Sequence, residues 1–389
     1  MQAALESDKT VRIAIVAGET SGDALGAGLI RALRERVPQM SIEGICGPRM
    51  CAEGAVSLFE MDSISIMGLD GLFGNIRKIL RIRRQLAERF VQNPPDIFIG
   101  IDVPDFNLSL EKRLKEAGIP TVHYVSPTVW AWRGYRIHKI RRAVSRMLAL
   151  FPFEVDFYQR HGVPVTCVGH PVADEIELMP LDQARSELGI DTSGSVLALL
   201  PGSRSSEVSR LAPVFAETAL ELAQKIPELF FVIPCANEKI RPELEALLCA
   251  HLPPNRYQLV HGQARLALRA SNAALLASGT AALEAALLST PMVVAYKVSL
   301  PSYLMVKAFS SVEHYSMPNH LLEQPAVPEF IQRDATAGNL MPAVLRLLED
   351  PTANESMRRQ LGGILQNLKM DASERAAEAV LDVVSRSTP

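Results

Sequence analysis

Four loops in this sequence join a glycine to a hydroxyl or charged residue just after an apolar run, a composition suited to phosphate binding or proton transfer. The clearest is Leu275-Leu-Ala-Ser-Gly-Thr-Ala-Ala-Leu-Glu284. An apolar run enters Ser278-Gly279-Thr280, and an alanine-rich helical segment follows. The glycine lets an anionic group approach the backbone. Free amides at the helix start, with the positive end of its dipole, suit a phosphate. Glu284, about one turn in, then lies where a carboxylate reaches a ribose diol; the plainer reading makes Thr280 a cap and Glu284 a solvated acid. Pro201-Gly-Ser-Arg204 follows the apolar Leu197–Leu200 in the same way. An arginine at such a turn suits bidentate contact with a diphosphate, the alternative being a surface arginine beside a cap. Gly18-Glu-Thr-Ser-Gly-Asp23 is a third loop, with glycines at 18, 22 and 26. That is not G-x-G-x-x-G, which argues against a dinucleotide site. The fourth is Gly100-Ile-Asp102-Val-Pro-Asp105-Phe-Asn107. Asp102 at the end of a strand is placed to take a proton from a sugar hydroxyl, a contribution of typically ~10²–10⁴-fold in rate. Asp105, after a proline, reads as turn or cap chemistry, and the pair lacks the dense oxygen cluster of a metal site.

Other features are less specific. Trp130 and Trp132 both lie in Ser126–Arg133; their rings suit stacking on sugars or acyl chains, and suit core packing equally. His123 reads as structural. The stretch Ile64–Phe90 sets Met67, Leu69, Leu72, Phe73, Ile76, Ile79 and Leu80 beside Arg77, Lys78, Arg81, Arg83 and Arg84. An apolar face flanked by basic residues is what lies on an anionic membrane surface, and this reading is favoured over an ordinary amphipathic helix. Five scattered cysteines fit no zinc spacing and suit a reducing compartment. A formal charge of −3 gives no sign of a nucleic-acid partner. The N-terminus has acids before its apolar run and does not read as a secretory signal. No uncharged stretch reaches the ~18–20 residues that span a bilayer. A soluble or peripheral cytoplasmic protein is the expectation.

The elements that must position these loops alternate between strand and helix signals, as parallel βαβ units do. Val11–Ala17, Ile42–Cys46, Asp96–Ile101, Pro120–Val125 and Met147–Leu150 read as strands of one half. Ser195–Leu200, Leu229–Pro234, Gln258–His261, Ala273–Leu276 and Met292–Ala295 read as strands of a second. Helices are expected over Ala24–Arg36 and Glu207–Lys225. The economical fold is α/β, with two doubly wound Rossmann-like domains facing a cleft and ligands at the carboxyl ends of strands. Residues 1–170 are expected to form an acceptor-binding, membrane-docking domain and 171–350 a donor-binding domain. Residues 351–389 are expected to be helices returning to an N-terminal domain, within the chain or across a homodimer.

The series VAGETSGD, GPRM, FIGIDVPDFN, HYVSPTVWAWR, LLPGSR, LLASGTAALE and MPNHLL resembles the lipid-A-disaccharide synthase family from about residue 11 to 385. The resemblance implies a GT-B-type inverting glycosyltransferase that uses neither metal nor cofactor, at the cytoplasmic face of the inner membrane of a Gram-negative cell. It implies transfer of 2,3-diacylglucosamine from UDP-2,3-diacylglucosamine to 2,3-diacylglucosamine 1-phosphate, with a β-1,6 link and release of UDP. By this resemblance Asp102 is the base, Arg204 contacts the diphosphate, Glu284 the ribose and Asn319 the donor. Ser278, Gly279 and Thr280 complete the donor loop, while Glu19, Ser21 and Gly22 line the cleft. Two other readings remain: a UDP-sugar 2-epimerase on a similar pair of domains, or a non-catalytic nucleotide-binding protein at the membrane surface.

Overall fold

The computed structural model describes residues 10–387 apart from 65–71, 132–133, 192, 236–237, 301–302, 304–306 and 308–312, and for 72–75 the backbone alone. Short β-branched and leucine runs form the central parallel strands, buried on both faces. One unit comprises the chain up to Asp174 together with Leu368 onward; the other is Glu175–Asn367.

The first unit holds β1 (Val11–Ala17), β2 (Met40–Ile45), β3 (Val56–Ser57), β4 (Ile97–Ile101), β5 (Thr121–Tyr124), β6 (Arg146–Ala149) and β7 (Val165–Cys167). They pair in the order β3-β2-β1-β4-β5-β6-β7, all parallel. The chain steps outward from β1 to β3 and then returns to lay β4 on the other side of β1. Strand order therefore reverses between β1 and β4, the place where open α/β sheets bind ligands. Helices α1 (Thr20–Arg36), α2 (Pro48–Ala52), α3 (Leu72–Gln92), α4 (Pro104–Glu116) and α5 (Ile137–Ala143) flank this sheet. Leu29, Ile30 and Leu33 of α1 pack on Ile13, Ile15, Ile99 and Ile101 of one face. Ile82, Leu86 and Phe90 of α3, with Leu110 and Leu114 of α4, cover Ala14, Val16 and Phe98 on the other.

The second unit holds β8 (Val196–Leu200), β9 (Phe230–Cys235), β10 (Tyr257–His261), β11 (Ala273–Ala277), β12 (Met292–Tyr296) and β13 (Glu329–Ile331). Its order, β10-β9-β8-β11-β12-β13, is again all parallel and reverses between β8 and β11. Helices α6 (Ser205–Lys225) and α7 (Thr280–Leu287) leave the ends of those two strands, followed by α8 (Met317–Leu321). Helix α9 (Pro351–Leu368) belongs almost wholly to this unit. Its Asn354 donates to the Asn272 and Leu347 carbonyls, and its Arg358 to that of Ser289.

The last helix, α10 (Ala372–Ser387), lies on α1. A Cβ at Gly28 would sit 2.5 Å from Ser373 Oγ, so the two helices meet there at close range. Asp174 closes the return: its carboxylate accepts from the amides of Met370, Asp371 and Ala372 at 2.7–3.0 Å. Ala376, Ala377, Val380 and Val383 are buried in their own unit. Of residues 351–389, expected as helices returning to the first unit, α9 packs in the second unit and α10 packs in the first. Among the described residues no helix is long and apolar enough to cross a membrane.

Candidate active site

In the first unit the switch point between β1 and β4 is occupied by two loops. After β1, Glu19 is the N-cap of α1 and Thr20 its first residue, so the helix starts earlier than residue pattern suggested. Glu19 and Ser21 are exposed and Gly22 is buried. Asp23 does not cap its own helix. Its buried carboxylate accepts from the Arg49 and Met50 amides at 2.9 and 3.0 Å and anchors the start of α2. After β4, Asp102 and Val103 both take left-handed backbone, at φ 52 and 41. Two such residues in a row cost on the order of 1–2 kcal/mol each and persist only where surroundings enforce them. Here the Asp102 amide donates to the Tyr124 carbonyl (3.0 Å). Asn107 Nδ2 donates to the carbonyls of Asp102 (2.8 Å) and Ile101 (3.2 Å).

The Asp102 carboxyl lies over the first turn of α1, with Oδ2 3.7 Å from where a Gly22 Cβ would be. Burial, and then the charge of Glu19, push it up to about 6, while His123 pulls the other way. A carboxylate so placed is a stronger base than an ordinary one and is still mostly ionised at neutral pH. Asp105 is exposed and paired with Arg136. His123 is fully buried and bonded to Glu111. Trp130, half-buried, packs edge-on against the half-buried Phe153, while Trp132 lies outside the described residues.

In the second unit the switch point between β8 and β11 carries the other two loops. Arg204 is the N-cap residue of α6, and its side chain, 80% exposed, reaches Glu207 Oε1 at 3.2 Å. Glu207 Oε2 accepts from the Ser203 amide, which ties the turn to the helix. Gly202 is required there: it has φ 131, and a Cβ would lie 2.6 Å from that of Glu207. Gly279 is the N-cap of α7, so Thr280 is the first helical residue and not the cap. Ser278 donates to the Tyr315 carbonyl at 2.7 Å. Glu284 is not simply solvated. It accepts from Arg265 Nε at 2.8 Å, and Arg265 also bonds Glu175 at 3.0 Å. A cavity of about 760 Å³ lies over both loops, lined by Gly202, Arg204, Ser278, Thr280, Glu284 and Tyr296 among others.

Asn319 is not among the lining residues. It is 4% exposed, and both ends of its carboxamide are engaged. Nδ2 donates to the Val327 carbonyl and to Glu329, and Oδ1 accepts from the amides of Ala326 and Val327. The Asn319 carboxamide thus bonds to the loop after its own helix and to Glu329. Glu329, held by Asn319, also accepts from the Tyr315 and Ser316 amides, and so backs the carbonyl that Ser278 reaches. Arg265 and Glu329 went unread in the sequence because no local motif marks them; each is defined by a partner from another element, whereas Glu207, read only as a helix start, serves its own turn through Ser203 and Arg204.

Of the basic-apolar stretch, Met67 and Leu69 lie outside the described residues, as do the side chains of Leu72 and Phe73. Ile76 and Leu80, one turn apart on α3, are 50% and 46% exposed. Arg77, Lys78 and Arg81 around them are also exposed.

Comparison with known proteins agrees over the whole length. The family model for lipid-A-disaccharide synthetase matches residues 13–383. A lipid-A-disaccharide synthase of Pseudoalteromonas translucida is 46% identical, over 98% of this chain and 99% of its own. Among solved structures, the calicheamicin glycosyltransferase CalG4 has a TM-score of 0.60 at 16% identity, covering 98% of this chain and 100% of its own. The UDP-GlcNAc 2-epimerase of Neisseria meningitidis has 0.56 at 15%, covering 97% and 100%. A transferase and an isomerase thus share the fold, which by itself selects neither reaction. The full-length match selects between them: the chain belongs to the lipid-A-disaccharide synthase family.

Proposed function

We propose that this chain transfers 2,3-diacylglucosamine from UDP-2,3-diacylglucosamine to 2,3-diacylglucosamine 1-phosphate, forming the β-1,6-linked disaccharide 1-phosphate and UDP. The observation that carries this reading is the family match over residues 13–383, which spans both switch-point loops. The acceptor's primary hydroxyl oxygen attacks the anomeric carbon, its proton passes to Asp102, and the bond from that carbon to the diphosphate breaks. Raised basicity at Asp102 supports that role. Arg204 and the amides at the head of α7 suit the charge that develops on the leaving diphosphate. Glu284, steadied by Arg265, suits the ribose. The cavity of about 760 Å³ falls within the ~300–1,000 Å³ common for small-molecule sites. Glu19, Ser21 and Gly22 border the acceptor side, and Asn319 serves through Glu329.

Both substrates carry acyl chains, and we assign α3 as the docking face on an anionic bilayer. Ile76 and Leu80 enter the interface, while Arg77, Lys78 and Arg81 meet lipid phosphates. We infer a peripheral position on the cytoplasmic face of the inner membrane.

Incubation with the diacylated UDP-sugar, with and without the acceptor, tests the reaction. UDP release that needs the acceptor, with a disaccharide 1-phosphate found by mass spectrometry, supports transfer. An epimerised UDP-sugar formed without acceptor refutes it.

A further inference from the structure

Behind the Asp102 turn lie two titratable side chains with no exposure at all, Glu111 on α4 and His123 on β5. His123 Nδ1 is 2.6 Å from Glu111 Oε1. Three buried polar atoms of this group, His123 Nε2, Glu111 Oε2 and Asn107 Oδ1, make no hydrogen bond among the described residues. The sheet is shaped around the pair. Gly100 stands directly opposite His123 in the β4–β5 register, and a Cβ there would come within 2.2 Å of Glu111 Oε1 and 3.0 Å of Asn107.

A buried, partly satisfied ionisable pair is a poor way to stabilise a fold, since apolar residues of similar volume serve as well or better. Its surroundings connect it to Asp102 instead. Asn107, one turn before Glu111 on α4, holds the Asp102 carbonyl. Tyr124, next to His123, holds the Asp102 amide. We propose that Glu111 and His123 are positioning residues for Asp102, fixing the turn that carries it and offsetting the negative charge of Glu19.

The groups that act on Asp102 are Glu19 from the head of α1 and His123 from β5, and the Tyr124 hydroxyl from β5 in turn feels its charge. Glu111 is faced by His123 and by Lys139 of α5, and burial is what pushes its carboxyl up most. Removing His123 leaves Glu19 unopposed, so Asp102 binds its proton more tightly and the enzyme loses activity at a higher pH.

The proposal rests on Asp102 as the base, and the experiment separates the two. The pH profile of kcat is measured for His123→Gln and Glu111→Gln beside the wild type, with UDP affinity as the check on the fold. The acid limb moves up by about half a unit to one unit in His123→Gln, and less far in Glu111→Gln, with KM for the UDP-sugar unchanged within about twofold. An acid limb that stays in place in folded variants, while Asp102→Asn is inactive, overturns the positioning role alone; turnover by Asp102→Asn overturns the base assignment itself. Should both variants fail to fold, wild-type NMR decides. The carboxyl carbon of Asp102, assigned with Asp102→Asn, and the ring nitrogens of His123 must respond in one shared pH interval, because coupling between sites is mutual. Titration of Asp102 that leaves the His123 signals unmoved overturns the proposal.

Discussion

Asp102→Asn is predicted to trade catalysis for stability. In the folded chain the carboxyl is raised from its ordinary 3.8 to about 6, first by burial and then by Glu19. The folded state therefore binds a proton more tightly than the unfolded state, and stability falls as pH rises from about 4 to about 6. Above that window the ionised carboxylate destabilises the fold by about 3 kcal/mol, at ~1.4 kcal/mol per tenfold in proton affinity. Asparagine occupies the same volume, tolerates left-handed backbone and never ionises. The variant's stability advantage in urea unfolding should thus be near zero at about pH 4 and approach about 3 kcal/mol by pH 7.5, while turnover is abolished and UDP affinity kept. A gap that does not change with pH, or a variant less stable than wild type at pH 7.5, would refute the claim that Asp102 is held under electrostatic strain.

Three further outcomes follow from the contacts described. Asp174→Ala removes the acceptor of three backbone amides at the head of α10 and should lower unfolding free energy by about 1–3 kcal/mol, read by denaturant midpoint. Asn319→Ala leaves the Val327 carbonyl and the Ala326 and Val327 amides without their partner; a loss of about 2–4 kcal/mol in stability is expected, with KM for the UDP-sugar rising more than kcat falls. Ile76→Ser with Leu80→Ser should weaken sedimentation with anionic vesicles by about 2 kcal/mol, roughly thirtyfold, without changing unfolding; unchanged binding would move the docking face elsewhere.

Strands were legible where they carry a buried run. Ala273–Ala277 is buried along its length and Val11–Ala17 from Ile13 onward, and burial on both faces writes a continuous apolar run. β3, β7 and β13 were not, because edge strands of two or three residues with intermediate or full exposure leave no such run, whereas the five-residue edge strand β10 was still read. The four site loops were readable from glycine and cap residues following a run. What holds them was not: Asp23 serves α2, Arg265 serves Glu284, and Glu329 serves Asn319 and Tyr315. Each of these joins residues that only the folded sheet order brings together. His123 read as structural because a lone histidine carries no local sign of its carboxylate twelve residues away.

The return of α10 has a bearing on biosynthesis. Residues 175–367 form one uninterrupted stretch, whereas the other unit needs both ends of the polypeptide. During translation the middle can therefore finish first, while the other unit waits for Ala376, Val380 and Val383, which are buried in its core, to emerge from the ribosome. A stop codon a few dozen bases early would leave that unit without its last helix and a nascent protein prone to clump, although all four glycine loops had already been made.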